Sequence, residues 1–210
     1  MNLYLILFCI ASYLLGAVPT GLVLAKLFSD TDIRKAGSGN IGTANVTRVL
    51  GKKLGAITFL GDMLKGFLPV FIGGQIFQSL LPVVTLRFAV CAFGFAAFLG
   101  HLFPVYLKFR GGKGVATAFG IFLCLEPIAI PIVTVIFILI VSGWRYVSLG
   151  SLVATSAMPF VLAGLAYFVR PVSGPALLLS IVITFFVFFK HKSNIQRLLF
   201  GTENKIGQKE

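Results

Sequence analysis

"VATAFGIFLCLEPIAIPIVTVIFILIVS", residues 115–142, is the stretch on which the number of membrane crossings turns. As one helix it would carry Glu126 and Pro127 near the centre of a bilayer. An ionised carboxylate is expensive there, and a proline leaves a carbonyl without its helical partner. A turn at Glu126-Pro127 costs less, so the stretch reads as two helices, over about 113–126 and 128–143. Outward from it, apolar segments over about 3–28, 54–79, 83–106, 147–169 and 172–190 bring the count to seven.

The composition agrees. Of 210 residues 58% are hydrophobic and only 11% charged, whereas a soluble domain carries about a quarter charged residues to dress its surface for water. The opening run "MNLYLILFCIASYLLGAVPTGLVLA" has no basic residue before it and is too long for a signal-peptide core, so it reads as a first spanning helix that is kept. Cys9, Cys91 and Cys124 fall at scattered apolar positions without ligand-like spacing and are expected to pack in the membrane. The expected fold class is all-α, a polytopic integral membrane protein with seven transmembrane helices in a single domain, residues 1–210. No linker, low-complexity tract or internal repeat interrupts it.

Orientation follows from the cations. Arg87 and Arg170 fall on one side and Lys65 within the second span, while the other 15 of 18 Lys and Arg, Lys209 among them, gather on the opposite side. That imbalance predicts an amino terminus outside and a carboxyl terminus in the cytoplasm. Part of the net +12 also serves contact with anionic head groups.

Three polar islands lie on the predicted cytoplasmic side: "DTDIRKAGSGNIGTANVTR" (30–48), "GHLFPVYLKFRGGKGVAT" (100–117) and "KHKSNIQRLLFGTE" (190–203). The first contains a formal G-x-G-x-x-G over 37–42, with Asp62 further on, but a dinucleotide fingerprint needs a strand before it and a parallel sheet around it. Its glycines still allow backbone N–H groups near an anion, and Ser38, Asn40, Thr43 and Asn45 add neutral donors. Taken alone, the island also reads as a tight turn capping the second helix. The second island is not a Walker A loop, because Leu107 and Gly114 stand where that motif needs Gly and Ser or Thr. Gly111-Gly112-Lys113-Gly114 leading into a helix near Val115 nevertheless combines a cation, flexible backbone and a positive dipole end, an anion site. In the third island His191, Asn194 and Leu198 share one helical face, as they would on an interfacial amphipathic helix too.

Of the two histidines, His101 is expected to shape its loop, and His191 is the better candidate base. Asp62 and Lys65, at i and i+3 in a span, are expected to pair, with the lysine turned to the cytoplasmic site. No Ser-His-Asp set or G-x-S-x-G elbow offers a nucleophile, and the six carboxylates are too scattered to hold Mg²⁺. The residues five past His101 and His191 are Tyr106 and Gln196, so the His-x4-Asp spacing of many lipid acyltransferases is missing as well.

Together the islands resemble the three signature motifs of the bacterial acyl-phosphate:glycerol-3-phosphate acyltransferase family, over the whole chain. The first motif is similar to Gly37-Ser38-Gly39-Asn40, Gly42, Asn45 and Arg48. The second is similar to Gly100-His101, Phe103-Pro104, Phe109, Gly111 to Gly114 and Ala116-Thr117, and the third to His191, Asn194-Ile195, Arg197-Leu198, Gly201 and Glu203. The resemblance implies acyl transfer from acyl phosphate to glycerol 3-phosphate, without metal, nucleotide or other cofactor, at the cytoplasmic face of a bacterial inner membrane. The implied partners are these two substrates and the lipid bilayer, with no nucleic acid and no obligatory protein. The residues expected to carry catalysis are His191, Lys113 and Arg48. Those expected to bind substrate phosphate are Ser38, Gly39, Asn45, the amides of Gly111 and Gly112, Asn194 and Lys65. A transporter of a phosphorylated solute is the rival reading. It would show inverted repeats and midplane polar residues, where this chain gathers its polar residues mostly at one face.

Overall fold

The computed structural model describes residues 1–207, so Lys209 of the predicted cytoplasmic cations lies outside the described residues. Among the described residues the regular structure is helical. It falls into two compact units, Met1–Cys124 and Leu125–Glu210.

The first unit holds α1 (Asn2–Gly16), α2 (Thr20–Phe28), α3 (Thr43–Leu50), α4 (Lys52–Phe77), α5 (Val83–Leu102) and α6 (Val115–Leu125). The segment expected as one span over 3–28 is broken between α1 and α2, with a 40° bend. Pro19 is the reason: it has no N–H for the ladder and pushes Val18 out of the helical region. Val18 N–H reaches back to the Leu15 carbonyl at 3.2 Å, and its own carbonyl accepts from Thr20 N–H at 3.0 Å. A second feature is α3, a helix inside the first island, where the sequence taken alone reads as a tight turn. α1 packs on α5 and α4, and α4 meets α6 where a Cβ on Gly66 would strike the Thr117 carbonyl and one on Gly120 the Met63 carbonyl. Such small residues let helix backbones touch where lipid offers no hydrophobic drive to associate. This contact fixes the start of α6, which bears on the site.

The second unit holds α7 (Ala129–Trp144), α8 (Val147–Phe168), α9 (Gly174–Lys190) and α10 (Lys192–Leu199). The turn expected at Glu126-Pro127 is present, since α6 ends at Leu125 and α7 starts at Ala129. Buried Glu126 is neutralised there by Arg170, which donates to it. α7 and α8 form a hairpin through Arg145, whose φ is 65°. Ser173 caps α9 by accepting from Ala176 N–H at 3.2 Å.

Three segments, Lys52–Phe77, Val83–Leu107 and Val147–Phe168, are long and apolar enough to cross a bilayer, five spans if the bent pairs α1–α2 and α9–α10 each count once. α6 and α7, with 11 and 16 residues, are shorter than the roughly 20 that span the hydrocarbon core. Large apolar side chains stand outward along the helices, such as Phe160 at 79% exposed. Surface of this kind suits lipid and would be anomalous in water.

Candidate functional site

In the first unit the first island is anchored by apolar plugs. Ile33 and Ile41 are buried with Leu22, Ala25 and Val46, and Leu107 of the second island packs on the same cluster. Asn45, buried on α3, then staples the glycine segment. Its Oδ1 accepts Ser38 N–H at 2.8 Å, and its Nδ2 donates to the carbonyls of Ile33 and Ala36 at 2.9 and 3.1 Å. Gly37, with φ of 56°, lies against that carboxamide, so a Cβ there would strike Oδ1. Asp32 accepts from Arg34 side chain and backbone, and those hydrogen bonds hold its carboxyl down to about 2. Ser38, Gly39 and Arg48 remain exposed. Both amide protons of Asn45 are thereby engaged by the loop itself, so its carboxamide shapes the segment that carries Ser38.

The second island is folded back on α5. Phe109 N–H donates to the Pro104 carbonyl at 3.0 Å, Gly111 N–H to Leu102 at 3.2 Å and Gly112 N–H to His101 at 3.0 Å. Tyr13 fastens the same corner by donating its hydroxyl to the Phe103 carbonyl at 2.6 Å. The amides of Gly111 and Gly112, expected at an anion, donate here to α5 carbonyls and hold the loop in place. Gly112 sits directly on the His101 imidazole, which leaves no room for a Cβ. Lys108 and Phe109 are consecutive non-glycine residues at φ of 52° and 63°, a conformation costing about 1–2 kcal/mol each. Lys113 and Gly114 follow and lead into α6, whose first N–H groups have no partner within the helix and mark its positive end. A pocket of about 470 Å³ is lined by Arg34, Tyr106, Leu107, Lys108 and Arg110. The first two islands thus meet, and they bring cations with them.

Beneath them Asp62 and Lys65 form the expected pair in α4, Oδ1 to Nζ at 2.8 Å. Lys65 also donates to the Val18 carbonyl at 3.0 Å, the group exposed by the break before Pro19. Thr20 adds a side-chain hydrogen bond to Asp62, and His101 Nδ1 stands 3.8 Å from Asp62 Oδ1. Lys65 is 5% exposed and its charge is met by Asp62.

In the second unit His191 ends α9 and Asn194 stands on α10, both buried. His191 Nδ1 lies 2.8 Å from the Val187 carbonyl. A carbonyl only accepts, so Nδ1 carries the proton there and Nε2 of the neutral ring holds the lone pair. The polar core of this unit is Glu203, to which sequence reasoning gave no role beyond a motif position. Its Oε1 accepts from Ser148 Oγ and from Asn194 Nδ2, both at 2.7 Å, and its Oε2 from Arg197 Nε at 2.7 Å. Burial pushes the carboxyl up, but these three donors and the guanidinium charge together bring it below the ordinary carboxylate value. The tail is tied down further by Arg145, whose guanidinium and backbone exchange hydrogen bonds with Ile206.

The sequence pattern of a family described as glycerol-3-phosphate acyltransferase matches residues 6–201. A glycerol-3-phosphate acyltransferase of Syntrophotalea carbinolica is 50% identical over 198 residues, 93% of this chain and 94% of its own. That of Trichlorobacter lovleyi is 47% identical over 200 residues, 95% and 96% of the two chains. Two crystal structures of PlsY (YgiH), an integral membrane glycerol 3-phosphate acyltransferase, share 37% identity and cover 97% of this chain and 96% of theirs. Their TM-scores are 0.86 for the glycerol 3-phosphate form and 0.85 for the lysophosphatidic acid form.

Proposed function

The chain belongs to the glycerol-3-phosphate acyltransferase family, and from that membership we propose that it moves a fatty acyl group from acyl phosphate to the 1-hydroxyl of glycerol 3-phosphate. The products are lysophosphatidate and inorganic phosphate. The observation that carries the reading is the division of labour in the islands. Buried Asn45 and the α5 carbonyls meet the hydrogen-bonding needs of the glycine loops, while Ser38, Gly39 and Arg48 stay exposed and Arg34, Lys108 and Arg110 line a pocket where the two islands meet. Two phosphate-bearing substrates need such a surface, and a fatty chain needs the lipid beneath it.

The reaction is direct attack. The 1-hydroxyl oxygen bonds to the carbonyl carbon of the mixed anhydride, negative charge gathers on the carbonyl oxygen, and the bond to the phosphate oxygen breaks. Phosphate is a good leaving group, so an acyl-enzyme is unnecessary. Arg48 and Lys113 stabilise the oxyanion and departing phosphate, an effect of roughly 3–4 kcal/mol per well-placed donor. Ser38 and Gly39 hold phosphate, and Asn194, steadied by Glu203, contacts the substrate near His191. Asn45, Gly111, Gly112 and Lys65 serve by holding the loops. The hydroxyl proton passes to a phosphate oxygen of the donor, with Nε2 of His191 accepting a hydrogen bond. The whole chain acts as one domain with seven crossings, amino terminus outside, in the bacterial inner membrane with the site on the cytoplasmic face. The cation count and the turn at Glu126-Pro127 support that arrangement.

The test uses purified protein in detergent with radiolabelled glycerol 3-phosphate and either palmitoyl phosphate or palmitoyl-CoA. Labelled lysophosphatidate with the phosphate donor alone is the expected result. Product from the CoA thioester alone overturns the donor, and product from neither, with folded protein, overturns the reaction.

A further inference from the structure

Asp62 and Lys65 stand in the middle of a spanning helix, 4% and 5% exposed at their side chains. Ionisable groups at such depth are costly and cluster where a membrane protein does its work. Stability does not explain the pair either, because apolar residues of similar volume hold a buried position as well as an ion pair does. What the pair touches is more informative. Lys65 reaches the Val18 carbonyl at the break between α1 and α2. His101 Nδ1 stands 3.8 Å from Asp62 Oδ1. The same His101 takes Gly112 N–H on its backbone carbonyl at 3.0 Å, and its ring forms the floor on which Gly112 rests. Gly112 immediately precedes Lys113. On the other flank, Gly66, next to Lys65, seats the backbone of Thr117 in the first turn of α6, which begins two residues after Lys113.

We propose that Asp62 and Lys65, together with His101, are positioning residues that set where Lys113 stands. The proposal rests on the reading that Lys113 serves acyl transfer from acyl phosphate. Asp62 backs the imidazole at 3.8 Å, the ring sets the height of Gly112, and Lys65-Gly66 sets the start of α6, so Lys113 is gripped on both sides. None of the three touches substrate.

The test separates folding from positioning by replacing the ion pair with a neutral one, Asp62→Asn with Lys65→Met. Thermal unfolding in detergent is measured beside kcat and KM, in the wild-type chain and in a Lys113→Ala chain. The double substitution is expected to melt within a few degrees of wild type and yet lose about 100-fold in kcat, the cost of a misplacement of about 1 Å. In the Lys113→Ala background the same change is expected to cost less than about threefold, since effects acting through one group do not add. Wild-type kcat in the folded double variant overturns the proposal, as does an undiminished 100-fold loss when Lys113 is already gone. If the double variant does not fold, His101→Asn carries the same two expectations, because it removes the ring under Gly112 and leaves the ion pair intact. Failure of the underlying reading looks different: wild-type protein inactive with acyl phosphate, or Lys113→Ala fully active, whatever Asp62 does.

Discussion

Glu203→Gln is the substitution whose size the structure sets most directly. The carboxylate takes Ser148 and Asn194 on one oxygen and Arg197 on the other, each at 2.7 Å. Glutamine brings one oxygen and one NH2 group. If the oxygen stays with Ser148 and Asn194, the NH2 faces Arg197 Nε, donor against donor. One charge-assisted hydrogen bond is lost, about 1.5–3 kcal/mol, and the other two fall to the neutral class, roughly half as strong. Arg197 is 38% exposed, so water returns part of the loss, leaving a net of about 2–3 kcal/mol. For a chain of this length that is about 5–10 °C in Tm. The assay is thermal unfolding in detergent from pH 7 downward, with acyl transfer measured on the same samples. The sign of the pH dependence follows from the lowered carboxyl value. A group whose folded pKa lies below its unfolded one stabilises above the unfolded value, about 4.3, and loses that contribution as pH falls through the folded value. The gap between wild type and variant is therefore full at pH 7 and closes below about pH 4. Activity falls with Tm, because Asn194 and the turn after His191 lose their tether. A variant that melts within a degree of wild type at pH 7 and keeps its activity refutes the assignment of Glu203 as the polar core of this unit.

Asn45→Ala removes the partner of three backbone groups around Ser38. It is expected to cost about 2–4 kcal/mol and to raise KM for one of the two phosphate-bearing substrates more than it lowers kcat. Gly112→Ala drives a methyl group into the His101 ring. Steady-state kinetics are expected to show about a 100-fold loss in kcat/KM, with Tm lowered by several degrees, because forcing a methyl group into a packed site costs about 1–3 kcal/mol. His191→Ala tests the proton's destination. A loss within about tenfold fits transfer to the substrate's own phosphate oxygen, whereas a loss of about 10³ with binding intact makes His191 the general base.

Much of the site was legible because it depends on local rules. The turn at Glu126-Pro127, the start of α6 after Gly114, the i, i+3 pairing of Asp62 with Lys65 and the loop-shaping role of His101 all follow from neighbours in sequence. The break before Pro19 was equally local, and the proline was its signal, but a continuous apolar run masked it. α3 escaped because its residues, Thr43–Leu50, are too polar to read as a span and too few to show a period. The hydrogen-bond partners of Asn45, Gly111 and Gly112 were illegible for a different reason. A sequence shows which groups are able to donate a hydrogen bond, whereas the acceptors that claim them, Ile33, Ala36, His101 and Leu102 carbonyls, are named only by the fold.

Those acceptors bear on what a glycine-rich loop has left to offer an anion. In such a loop an unpaired buried polar group costs more than a hydrogen bond returns. Such a loop must first bond to itself or to the helix below it, and here it does so through the Asn45 carboxamide and the α5 carbonyls. The Arg48 side chain and the turn residues Ser38 and Gly39 stay exposed beside these claimed groups. The buried charge of Lys65, matched by Asp62, belongs with the scaffold by the same reasoning. In these two loops an amide proton claimed by a carbonyl or by the Asn45 carboxamide acts as a strut, and the exposed side chains are the groups open to a ligand.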